Sequence, residues 1–129
     1  MKPSKPPRPK STARIGAERK GHRAEALAAL FLQLKFYRIL ERRFRTPVGE
    51  IDLVVERGGT IVFVEVKARR SLRGEGEALQ AVNQRRIARA AEFWLAKHPQ
   101  RAGADFRFDV IFLAPRHWPR HVMHAFSAP

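Results

Sequence analysis

The stretch Gly49-Glu50-Ile51-Asp52-Leu53-Val54-Val55, followed after a turn by Ile61-Val62-Phe63-Val64-Glu65-Val66-Lys67, decides the fold of this chain. Apolar residues alternate in both halves with a period of two, the signature of β-strands. Gly58-Gly59 between them signals a tight hairpin, because such turns need positive φ and glycine adopts it without a steric penalty. A two-residue loop at these glycines sets Arg57 opposite Thr60 and fixes the register of the whole ladder. Val55 then faces Val62, Leu53 faces Val64 and Ile51 faces Val66, an apolar surface for a helix to cover. On the other face Val54 meets Phe63, Asp52 meets Glu65 and Glu50 meets Lys67.

Two carboxylates directly opposite each other repel in a sheet. Asp52 facing Glu65 therefore calls for a cation between them, and a hard divalent metal ion with oxygen ligands meets that need. Lys67, two residues past Glu65, points to the same side, where it would neutralise an anion or position a water. The plain alternative is that these charges form the wet face of a hairpin. Ile61, Val54 and Phe63 share that face, however, so it is at least partly covered.

The chain has 129 residues, enough for one domain with a real core. Lys and Arg number 26 against 12 acids, a net charge of +14. An excess of that size points to a polyanionic partner, above all nucleic acid. No apolar run is long enough to span a bilayer, and no signal-peptide pattern opens the chain, so a membrane role is not expected. Cysteine is absent, which excludes disulfides and thiolate metal sites. The expected location is cytoplasmic.

Residues 1–14 hold four prolines and a run of Lys and Arg, the composition of a disordered basic tail. Residues 15–129 form the expected single domain. The spacing predicts a helix from about Ala17 to Lys35, with Leu27, Leu30, Phe31 and Leu34 as its core-facing stripe. A second row runs Glu25, Ala28, Ala29, Leu32 and Phe36. Glu25 on that row needs a partner, and two are open to it: the metal cluster or an arginine. A strand is expected from Tyr37 to Arg45, ending before Thr46-Pro47. After Lys67, Arg69, Arg70 and Arg73 lie in a glycine-containing basic loop placed to meet phosphate. A second helix is predicted from Asn83, its N-cap, to His98 before Pro99, with Arg85 and Arg89 off its apolar face and available to phosphate. Phe106 to Leu113 alternates as a strand whose Asp109 reads as structural, and Val122 to Phe126 as a short final strand. His117, His121 and His124 read as scattered surface histidines, not a zinc site.

The order helix, three strands, helix, strand resembles the αβββαβ core of the restriction-endonuclease-like α/β fold, a mixed sheet flanked by helices, as in archaeal Holliday-junction resolvases. Asp52 with Glu65-Val66-Lys67 resembles the Asp…(Asp/Glu)-x-Lys signature of those nucleases. The chain is more closely similar to the bacterial YraN family. Glu25, Gly49 to Leu53, Val62 to Lys67, the Ala90-Ala91 helix with Trp94-Leu95, and Arg107 to Val110 carry that resemblance, which runs from about Gly16 to Phe126. Ala24 stands where glycine is usual and Arg43 where asparagine is common, differences that touch packing; a lysine common near Gln84-Arg85 has no certain counterpart.

The resemblance implies a DNA endonuclease dependent on Mg²⁺ or Mn²⁺, with branched or single-stranded DNA among its substrates and DNA favoured over RNA. Asp52 and Glu65 would hold the ion with the Val66 carbonyl, Glu25 would ligate directly or through water, and Lys67 would assist catalysis. A homodimer would suit a branched or duplex substrate. The competing expectation is a binding module for nucleic acid or ribonucleoprotein that keeps the fold without turnover.

Overall fold

The structure, a computed structural model, describes residues 12–70 and 83–127, with backbone alone at 12–20. In chain order it comprises α1 (Thr12–Leu34), β1 (Arg38–Thr46), β2 (Gly49–Arg57), β3 (Thr60–Ala68), α2 (Gln84–Lys97), a one-turn 3₁₀ helix (Pro99–Arg101), β4 (Phe106–Leu113) and β5 (Arg120–Phe126). The strands form one sheet in sequence order. β3 pairs parallel with β4, and the other neighbours pair antiparallel. The sheet is mixed and open, and among the described residues each face carries one helix: α1 covers one cluster of core residues and α2 the other. The helix α1 begins at Thr12, so it takes in the last residues of the stretch read as tail; residues 1–11 lie outside the described residues.

The hairpin forms as its glycines dictate. Gly58 and Gly59 have φ of 58° and 79°, and Arg57 pairs with Thr60, Val55 with Val62 and Leu53 with Val64. Asn83 caps α2, its side-chain oxygen accepting from the Arg86 N–H at 3.1 Å. Gly49 has a different duty. A Cβ there would stand 2.8 Å from the Arg86 carbonyl oxygen, so the glycine lets the start of β2 lie against the first turn of α2.

The buried face of α1 corrects the expected stripe. Leu27, Leu30 and Leu34 are 57%, 53% and 71% exposed, and Ala24, Glu25, Ala28, Ala29 and Leu32 are buried instead. The helix has two apolar rows. The row of small side chains lets it approach Leu53, Val55, Val62 and Val64 closely, while the bulkier leucines would hold it off. Phe36, expected at the end of the buried row, is exposed at φ 68°. It occupies the left-handed position that ends the helix, where Phe36 N–H donates to the Gln33 carbonyl and Tyr37 N–H to the Leu32 carbonyl.

Asp109 is structural, as its position in β4 suggested, and fully buried. It accepts hydrogen bonds from Arg107 Nε at 3.0 Å and the His124 N–H at 3.1 Å, and lies 2.6 Å from His121 Nε2. Burial by itself would raise its carboxyl, but the bonds from His121 and Arg107 outweigh burial and hold it below the ordinary aspartate range. Lys35 Nζ stands 2.8 Å from the other imidazole nitrogen, so Nδ1 accepts and Nε2–H donates to Asp109. His121 is therefore no surface histidine: its side chain is closed between β4 and the end of α1. His117 and His124 are exposed.

Candidate metal and nucleic-acid site

The site forms where the β2–β3 ladder stops. The last regular pair is Leu53 with Val64, one position short of Asp52 and Glu65. Ile51 and Leu53, two apart, should share a face. Ile51 instead packs under α2 with Phe44 and Phe63, whereas Leu53 packs under α1 with Val64. The alternation thus slips by one at Asp52. This corrects the expected facing of Ile51 and Val66, and the regular pairing does not extend to Glu50 and Lys67. The slip lets the Asp52 carboxylate replace a main-chain acceptor: the Val66 N–H donates to Asp52 Oδ2 at 2.7 Å. It also turns Asp52 toward Glu25 on α1, whose charge acts on it.

Asp52 is raised to about 7. Burial is the largest cause, the charge of Glu65 the next, and a hydrogen bond between the two carboxyls adds to both; the Val66 N–H works against them. Lys67 Nζ lies 3.0 Å from Glu65 Oε1, on the side expected of it. Glu25 is also raised, by burial first, with Arg43 and His22 opposing. Arg43 Nε stands 3.3 Å from Glu25 Oε1, so the arginine is the partner that Glu25 meets.

A cavity of about 250 Å³ gathers Glu25, Glu50, Asp52 and Val66, with His22, Arg43 and Arg45 on its walls. Glu65 and Lys67 do not line it; Glu65 acts on Asp52 from the neighbouring strand, and Lys67 pairs with Glu65. Among the described residues no three acidic or imidazole groups converge into a ready metal cage. The donor set offered is a half-buried pair of hard oxygen ligands on neighbouring strands, with the Lys67 ammonium against Glu65. That fits an ion such as Mg²⁺, which is bound through one or two carboxylates and completes its shell with water and phosphate oxygens.

The arginines divide. Arg69 and Arg70 leave β3 along a second, apolar groove, together with Arg23 of α1. Arg85 and Arg89 are exposed on α2 and do not line the carboxylate cavity. Arg73 lies outside the described residues. Arg43 was read as a packing difference. It instead sits at φ 48° in β1 with its guanidinium against His22 and Glu25, a role that periodicity cannot reveal because it depends on a local departure from strand geometry.

α1, the β1–β2–β3 meander, α2 and β4 reproduce the αβββαβ core, which places the protein in the class of restriction-endonuclease-like α/β domains. Sequence comparison takes the assignment further. The chain belongs to the family described as "Uncharacterised protein family UPF0102", whose profile matches residues 24–113; this is the YraN family. A UPF0102 protein of Methylorubrum extorquens (strain PA1) is 51% identical over 123 residues, covering 95% of this chain and 96% of the relative. One from Bradyrhizobium sp. (strain ORS 278) is 51% identical, covering 98% and 92%. One from Rhodopseudomonas palustris (strain BisA53) is 49% identical, covering 98% and 95%. No helix among the described residues is long and apolar enough to cross a membrane.

Proposed function

We infer that the protein is a metal-dependent phosphodiesterase acting on DNA, with Asp52 and Glu65 as the ligands of Mg²⁺ or Mn²⁺. One observation carries this reading: two half-buried carboxyls act on each other from neighbouring strands, where folding alone would favour an apolar pair or an ion pair. An ion held there supplies Lewis acidity to the phosphoryl group and a nucleophilic water at neutral pH. The Val66 N–H fixes the orientation of Asp52, and the Val66 carbonyl would be a further oxygen ligand for the ion. Lys67 shields Glu65 and offers positive charge to a phosphate oxygen. Arg43 restrains Glu25 at the cavity wall.

The deciding experiment is a panel of single-stranded, duplex and branched DNA, with matched RNA, incubated with Mg²⁺ or Mn²⁺ and with chelator. Cleavage of DNA that requires the ion is the expected result. A binding module without turnover has one observation in its favour, the engagement of Glu25 by Arg43 and of Glu65 by Lys67. Nucleic-acid binding with no cleavage under any ion would establish it in place of the enzyme.

Binding itself should be electrostatic. Log affinity for duplex DNA falls linearly with log salt, with a slope of about −0.9 per neutralised phosphate. Replacing Arg69, Arg70 and Arg73 with alanine should flatten that slope, and replacing Arg85 and Arg89 should flatten it separately. An affinity indifferent to salt would remove the arginines from the interface.

A further inference from the structure

We propose that the apolar groove beside the carboxylate cavity receives the unpaired bases of a DNA strand whose backbone passes Asp52, so that the substrate is single-stranded or locally unpaired DNA. The choice of ligand rests on the phosphodiesterase reading. The groove, about 680 Å³, runs between the outer face of α1 and the turn that joins β4 to β5. Leu27, Leu30 and Leu34 form one wall, and Trp118, 86% exposed, stands on the other. Exposed leucines and a tryptophan gathered along one groove make it a candidate ligand surface.

Two features identify the occupant. The groove and the carboxylate cavity share Ala24 and Ala68 in their walls, so the two adjoin. The groove is also lined by Arg23, Arg69 and Arg70, with no acidic side chain on its lining among the described residues. A second copy of the chain, itself carrying a net charge of +14, would set the same arginines against that rim. A DNA strand brings phosphates. Bases stacked within a duplex keep their flat faces hidden, whereas unpaired bases can present them to Trp118 and Phe31, as aromatic platforms in single-strand binders require.

Tryptophan emission tests this directly, because the chain has two tryptophans and the other, Trp94, is buried. In chelator, a short oligothymidylate should quench the exposed tryptophan, and a blunt duplex of equal length should not. Trp118→Ala should weaken oligothymidylate binding about tenfold or more. Leu30→Glu, which puts a negative charge in the groove, should weaken it as well. Absence of quenching with unchanged affinity of Trp118→Ala would overturn the proposal, as would equal quenching by duplex. Self-association abolished by Leu30→Glu, with strand affinity unaltered, would assign the groove to a second copy and also overturn it. The measurement needs no turnover. Strand-specific quenching without cleavage would therefore retain the groove and reject the enzyme, and cleavage indifferent to Trp118 would do the reverse.

Discussion

Asp52→Asn is expected to abolish hydrolysis while making the metal-free protein more stable at neutral pH. Asparagine keeps an oxygen for the Val66 N–H and removes the charge. The folded protein holds the Asp52 proton up to about pH 7, whereas the unfolded chain releases it near 4. Between those values the native state binds more protons, so its stability is fullest below about pH 4 and falls as pH rises through 7. The cost at pH 8 is on the order of 2–4 kcal/mol. Glu25, also raised, contributes in the same direction. Denaturation of wild type in chelator should therefore show stability declining from pH 4 to 8, and the variant a shallower decline. Mn²⁺ should restore the wild type above pH 7 and leave the variant unmoved. A wild-type profile that is flat across this range would mean that Asp52 is not held in the protonated state described here.

Glu65→Gln should lower metal-dependent cleavage by about 10³-fold, because several kcal/mol of transition-state stabilisation depend on the ion being held. A neutral amide oxygen is a poorer ligand for a hard cation. DNA affinity in chelator should be equal to wild type or tighter, since a negative charge beside the phosphate path is gone. Stability without metal should also be at least that of wild type, because the repulsion with Asp52 is relieved. If Glu65 served only its ion pair with Lys67, the variant would be less stable without metal and wild type would gain nothing from Mn²⁺. That pair of results would sink the metal site.

Much of the fold was legible because its signals are local. Gly58-Gly59 fixed a register that runs from Arg57 to Leu53, and Asn83 announced its helix through one side-chain oxygen. Counting back along that register predicts Asp52 directly opposite Glu65, but the regular pairing ends one position earlier, at Leu53 and Val64. What stayed hidden depends on contacts far apart in sequence. Periodicity identifies apolar rows on α1 but cannot say whether leucines or alanines meet the sheet, since that is decided by how closely the helix must approach. The slip at Asp52, which sends Ile51 to the opposite face, goes with a side chain taking over a main-chain bond, and alternation along one strand carries no sign of it. His121 looked like one of three surface histidines because its partners, Asp109 and Lys35, stand 12 and 86 residues away.

The closure of Asp109 by β5 separates the boundary of recognition from the boundary of folding. The family profile ends at Leu113, and every candidate ligand lies inside that limit. A fragment cut there would nonetheless leave β4 without its antiparallel neighbour, and a fully buried aspartate without the imidazole and main-chain N–H supplied by β5. Loss of a partner to a buried charge costs about 3–5 kcal/mol, a large share of what holds a domain of this size together. The strand that contributes none of the chemistry is thus a condition for the chemistry to exist.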